Sequence, residues 1–420
     1  MDSRRIRSMP QTIPLSAILP ELLPRLAASG LKPLLLAGRS LLPIVQGGMG
    51  VGVSAHRLAG AVAALGGVGT LSSVDLRRHH PDLMARTEPL TKRVGGEAQS
   101  KAIIDAANLE ALDREVRAAR AASGGLGLIA MNVMRAVSDY AADVKRSLEA
   151  GVDMVVVGAG LPLDLPDLAA DHPKALLAPI LSDARGVSLL VRKWERKKRL
   201  PDAILIEHPR LAGGHLGAAR IADLNDPRFD FERAIPESLE FLHKAGIGRE
   251  VPIIAAGGIR RCEDIAHVQS LGGSAAQLGT PFATTAECDA SDAFKRVLAE
   301  ARPEDVVEFT SVAGLPARAV ATSWLKGYLK LEPKLQAVAH VRARCAQAFD
   351  CLAQCGLRDG LNTWGQFCID HQLGAALRGD LKTGLFFRGA GALPFGAQIR
   401  SVRELMERLL TRGMAVPQPV

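Results

Sequence analysis

The chain has 420 residues, 48% of them hydrophobic and only 4% aromatic, and carries a net charge of +8. No run approaches the ~18 consecutive apolar residues of a membrane span. No nucleic-acid motif accompanies the densest basic run, residues 192–199, which reads as the solvated end of a helix. So few aromatics leave an aliphatic core of Ala, Val, Leu and Ile, the composition of parallel strands buried on both faces. The basic start, MDSRRIRSMP, is followed by Pro14, Pro20, Glu21, Pro24 and Arg25 where the apolar part of a secretory signal would sit. The expectation is a cytoplasmic protein with reduced thiols.

Short aliphatic runs alternate with helical spacing, the pattern of βαβ units. The first predicted strand, residues 42–46, closes in Gly47, Gly48, Met49 and Gly50. A helix over 54–65 follows, with Ser54 as its N-cap. The second strand is 69–74, followed by a helix over 98–122. The third is 126–131, ending at Asn132, with a helix over 138–150. The fourth, 154–157, ends at Gly158, Ala159 and Gly160. The fifth is 175–181, ending at Ser182, and the sixth is 203–207. A long loop with Gly213, Gly214 and His215 follows. The seventh strand, 252–256, ends in Gly257 and Gly258, and the eighth, 275–278, in Gly279 and Thr280. Eight consecutive units with right-handed crossovers predict an α/β fold, a (β/α)8 TIM barrel; an open doubly wound sheet is the runner-up. Such a barrel needs about 250 residues. The remainder reads as an N-terminal extension over 1–40 that wraps the barrel (41–290) and a mainly helical C-terminal extension over 291–420. Its expected helices cover 291–300, 320–329, 338–355 and 401–410.

In such barrels the working face lies at the C-terminal ends of the strands, where this chain places its glycines. The clearest signal is AAGGI followed by AQLGT: the backbone N–H groups of Gly258 and Gly279 can point at an anion, with the Thr280 hydroxyl as a further donor. His215 is flanked by Gly213, Gly214 and Gly217, so it belongs to a loop rather than to an apolar face. Its imidazole can act as a base, or as a cation facing an anionic substrate. His208 competes but reads as a tether for the same loop.

The runs PIVQGGMGVGVS, AMNVM, VVVGAGLP, LAGGHLG, AAGGI and QLGTPF, spread in order over residues 42–288, resemble the nitronate monooxygenase family and the related flavin-type enoyl-acyl-carrier-protein reductases. The resemblance implies non-covalent FMN. It implies a ring resting near Gly47, Gly48 and Met49, with Gln46 and Asn132 close by, and a phosphate on Gly257, Gly258, Gly279 and Thr280. Gly158, Ser182, Gly213 and Gly214 complete the expected cofactor-binding set, and His215 matches the family's active-site histidine. The implied reaction oxidises a small anionic nitronate with molecular oxygen. Two alternatives stay open: an NAD(P)H-dependent flavin reductase acting on a quinone or an enoyl thioester, and a flavin-free phosphate-binding barrel enzyme. A homodimer is compatible with all three readings.

Cys345, Cys351, Cys355 and Cys368 lack a CxxC pair, so they read as buried thiols rather than metal ligands, with Cys351 and Cys355 on one helix face.

Overall fold

A computed structural model describes residues 15–91, 97–248, 250–341, 345, 347 and 349–416. Strands are numbered along the chain. β1 (Leu15–Ser16), β2 (Leu34–Leu36) and β3 (Arg39–Leu41) make a small sheet in the order β1-β3-β2. The barrel strands begin with β4 (Ile44–Gln46), β5 (Val68–Ser72), β6 (Leu128–Met134), β7 (Met154–Gly158), β8 (Leu176–Leu181) and β9 (Ile204–Glu207). β10 (Gly214–His215) lies in the loop after β9, and β11 (Ile253–Ala256) and β12 (Ala275–Leu278) complete the ring. The closed order is β11-β12-β4-β5-β6-β7-β8-β9, with β12 pairing in parallel with β4 through Leu278 and Gln46. This is the expected (β/α)8 barrel.

Alternation along each strand divides the core. Met154 and Val156 point inward, with Val45, Val68, Leu205 and Ile254, while Val155 and Val157 pack outward against the helices. The inner cluster also holds Ala17, Leu34, Leu36 and Leu41. The N-terminal segment therefore does more than wrap the barrel: its sheet plugs the interior beneath the strand starts. Leu34 and Leu41 are fully buried there, each contributing about 1.5–3 kcal/mol of hydrophobic burial.

Ser54 does not cap the helix His56–Ala64; Ala55 holds the N-cap position. The Ser54 hydroxyl instead accepts the Met49 N–H at 2.8 Å, bracing the glycine turn after β4. Asp289, from beyond the last barrel strand, accepts the free N–H groups of Ala55 at 2.8 Å and Leu58 at 3.2 Å.

Past the barrel come helices Asp292–Glu300, Ser323–Ala337, Ile369–Leu377 and Val402–Leu409. A hairpin that the sequence analysis missed lies among them: β13 (Val306–Thr310) and β14 (Pro316–Val320). β14 also takes β10 as an antiparallel neighbour, with Gly214 opposite Arg318 and His215 opposite Ala317. The helix expected over 338–355 is absent among the described residues, which show a single 3-10 turn at Ala339–Val341. Phe349, Leu352 and Cys355 are buried in irregular chain, pinned by Ala353 N–H to the Ala136 carbonyl at 2.9 Å. Tertiary contact with the loop after β6 thus outweighs helical spacing, and Cys351 and Cys355 share no helix face.

No helix of the described residues is long and apolar enough to cross a membrane.

Candidate active site

A cavity of about 690 Å³ opens at the C-terminal ends of the barrel strands, within the range of small-molecule and cofactor sites. Gly47, Gly48 and Met49 line it after β4, Asn132 from β6, Gly158 from β7 and Ser182 after β8. Gly213, Gly214 and His215 enter from the loop after β9; Gly257 and Gly258 close β11, and Gly279 and Thr280 close β12.

Gln46 is the exception among the expected residues. Its buried side chain does not line the cavity. The amide oxygen accepts the Thr70 N–H at 2.8 Å and the amide nitrogen donates to the Thr70 carbonyl at 3.0 Å. β4 and β5 share only the Val45–Val68 pair, so the Gln46 amide supplies cross-strand bonds that the short ladder lacks.

Two glycines carry geometric demands. A Cβ on Gly48 would come within 2.2 Å of the Asn132 Cβ, so only a bare backbone passes there. Gly258 sits at φ +76°, and a Cβ on it would lie 2.7 Å from Leu211 Cδ1. Beside this turn the Arg260 guanidinium lines the cavity, with its Nε donating to the Gly258 carbonyl at 3.1 Å. The Thr280 hydroxyl accepts the Gly389 N–H at 2.9 Å, so its own proton remains free to donate. Gln277 Oε1 is buried beside the cavity without a hydrogen-bond partner, a cost of roughly 1–3 kcal/mol unless a ligand satisfies it.

The C-terminal segment forms part of the wall. Leu385, Phe387, Arg388, Gly389 and Leu393 all line the cavity. Arg388 is buried; its Nε donates to the Leu298 carbonyl at 2.9 Å, and Nη1 reaches the Gly389 and Gly391 carbonyls at 2.9 and 3.0 Å. Arg260 and Arg388 escaped the sequence analysis. Arg260 follows AAGGI immediately and was legible; Arg388 lies in FFRGAG, far from any barrel strand in sequence.

His215 packs its ring 5.5 Å from that of Phe387. Its Nε2 lies 3.0 Å from the Ser311 hydroxyl, in the turn of the C-terminal hairpin. Burial pushes its pKa down to about 4, so the ring is neutral at pH 7. Glu207, at the end of β9, also lines the cavity and was missed. Burial pushes its carboxyl up to about 7, against the pull of Arg318. His208 is buried, with Nε2 3.2 Å from Asp230, and its carbonyl accepts the N–H groups of Leu211 and Ala212 at 3.0 Å. It holds the loop, as expected, rather than lining the cavity. Among the described residues no three His, Cys, Asp or Glu side chains converge to hold a metal, and Cys345, Cys351, Cys355 and Cys368 are free thiols.

A closed parallel barrel with a glycine-ringed cavity at its strand ends, one neutral histidine and one perturbed carboxyl defines an enzyme that handles a small molecule. The family model for nitronate monooxygenase matches residues 39–412, and the chain belongs to that family. The match runs past the barrel through the C-terminal segment. Similar relatives include a probable nitronate monooxygenase of Staphylococcus saprophyticus, 28% identical over 115 residues (27% of this chain, 30% of the relative). A putative nitronate monooxygenase of Saccharomyces cerevisiae is 31% identical over 123 residues (27% and 29%). The aligned stretch spans less than a third of either relative. In fold, the chain is similar to FabK of Thermotoga maritima (TM-score 0.61, 20% identity, 88% of this chain and 91% of that one). It is also similar to a nitroalkane oxidase of Streptomyces ansochromogenes (TM-score 0.57, 20% identity, 91% and 96%).

Proposed function

We propose that the protein is an FMN-dependent oxidoreductase that oxidises alkyl nitronates with molecular oxygen. Family membership supports the reaction class. The observation that carries the cofactor is the unpartnered Gln277 Oε1, buried beside a cavity that is also lined by the left-handed turn at Gly257 and Gly258, on the neighbouring strand end. Gly257, Gly258, Gly279 and the Thr280 hydroxyl would hold the phosphate, with the Arg260 guanidinium beside them. Gly47, Gly48 and Met49 would lie beside the ring, and Asn132 and Gln277 would offer it amide groups. FMN bound there would supply the redox chemistry that couples oxidation of the substrate to reduction of oxygen. The protein's part is to exclude water, with the C-terminal segment closing one wall, and to hold the substrate against His215 and Glu207.

The test is anaerobic mixing of the purified protein with an alkyl nitronate while flavin absorbance is followed. Bleaching that reverses on admitting oxygen supports the reading. A yellow protein that does not bleach removes the nitronate, and a colourless one with no bound flavin removes the cofactor.

Glu207 favours a second reading, NAD(P)H-dependent reduction of a quinone or an enoyl thioester. A carboxyl held protonated near neutral pH can give a proton to a reduced acceptor. Bleaching by NADH or NADPH, with no bleaching by a nitronate, selects it.

A further inference from the structure

The hydrogen bond between His215 and Ser311 decides which nitrogen of the imidazole the ligand meets. Ser311 is fully buried, and its place is set by its own backbone. Its N–H donates to the Leu315 carbonyl at 2.9 Å, and its carbonyl accepts the Gly365 N–H at 3.1 Å. Its hydroxyl oxygen already accepts the Ala313 N–H at 3.2 Å. The hydroxyl proton then needs an acceptor, because a buried donor without one costs about 1–3 kcal/mol. The acceptor that the described residues place within reach is His215 Nε2, at 3.0 Å. In the opposite arrangement Nε2–H would donate to Ser311, and the hydroxyl proton would be stranded.

We propose that Ser311 is a positioning residue that fixes the tautomer of His215, so that the ring offers the ligand a neutral Nδ1–H donor rather than a base or a cation. The inference extends the proposed function by giving His215 its role, and its tautomer test does not depend on the substrate. Nε2 is occupied by Ser311, and Nδ1 makes no hydrogen bond to the described protein. The ring lines the cavity, so Nδ1 is the nitrogen left for a bound molecule. The pairing of β10 with β14 fixes the backbone of His215 opposite Ala317, and Phe387 packs against the ring. The arginines on the two elements packed against His215 are engaged elsewhere. Arg318 of β14 donates to the carbonyls of Pro209 and Ala212 and to Glu308, and Arg388 donates to the carbonyls of Leu298, Gly389 and Gly391. A neutral N–H donor suits a nitronate oxygen, on which negative charge sits, without the desolvation cost of a buried imidazolium.

The experiment is nitrogen NMR of the full-length, flavin-loaded protein labelled with 15N-histidine, with His215 assigned by the signal missing in His215→Gln. Expected is a protonated Nδ1 and a bare Nε2 at pH 7. Ser311→Ala should give a mixture of tautomers, and Ser311→Thr, which keeps the hydroxyl, should restore the single form. In step with this, the rate of flavin reduction by a saturating nitronate should fall about 2- to 10-fold in Ser311→Ala and recover in Ser311→Thr. A wild-type ring protonated on Nε2, or a tautomer unchanged in Ser311→Ala, overturns the proposal. A correct tautomer in a protein that no nitronate bleaches leaves it standing and rejects only the substrate.

Discussion

Arg318 of β14 donates through Nη1 to the carbonyl of Pro209, 3.0 Å away, and so ties the C-terminal hairpin to the loop that carries His215. The same nitrogen reaches the Ala212 carbonyl, and the other terminal nitrogen meets Glu308. Only a planar fork spans three acceptors lying in different directions. Arg318→Met should cost about 1–3 kcal/mol of stability, because it leaves buried carbonyls without donors. It should also raise KM for the substrate as the His215 loop loosens. Denaturant unfolding and saturation kinetics check the two effects, and Arg318→Lys should restore little of either.

Glu207 makes stability depend on pH. Its carboxyl is raised to about 7 in the folded chain, against an unfolded value of 4.5. The folded state therefore binds the proton more tightly. Its contribution is complete below pH 4.5 and is lost as pH rises through about 7. Glu207→Gln removes this dependence. Thermal midpoints of wild type and variant should diverge between pH 4.5 and 7, with the wild type losing ground, and then run parallel above pH 8.

Gly258→Ala tests the anion cradle. At φ +76° an alanine carries about 1–2 kcal/mol of backbone strain, and its Cβ meets Leu211. The turn that would hold the FMN phosphate is displaced, so the purified variant should retain less flavin per chain than the wild type, measured by absorbance after desalting.

Gln46→Ala should separate stability from cofactor binding. Loss of the two bonds to Thr70 should cost about 1–3 kcal/mol. Flavin content should stay at the wild-type level, because the side chain does not line the cavity. Loss of flavin from a protein of unchanged stability would instead place the amide at the ring.

The barrel was legible because buried parallel strands read as uninterrupted aliphatic runs. Residues 154–157 and 275–278 could be assigned almost to the residue. Hairpin β13–β14 was not legible. PARAV begins with a proline and buries an arginine, and its strand is held by β13 on one side and on the other by β10, about a hundred residues earlier in the chain. The helix expected over 338–355 failed for the same reason, since Phe349 and Leu352 are buried by distant contacts rather than along a helix face. In the site, glycine turns and His215 announced themselves through local composition. Glu207, Ser311 and Arg388 look ordinary in sequence, and only tertiary burial gives them their properties. Ser54 carried a genuine capping signal, but Asp289 reached the helix first.

The hydrogen bond between Thr280 and Gly389 has a consequence for how the molecule is made. The last barrel strand ends at Leu278, which closes the ring by pairing with Gln46, yet the wall comes from residues 385–393, about a hundred residues further along the chain. Chain order alone thus separates the scaffold from its chamber: every barrel strand precedes in sequence the segment that walls the cavity, and the two meet only through long-range contacts such as this one.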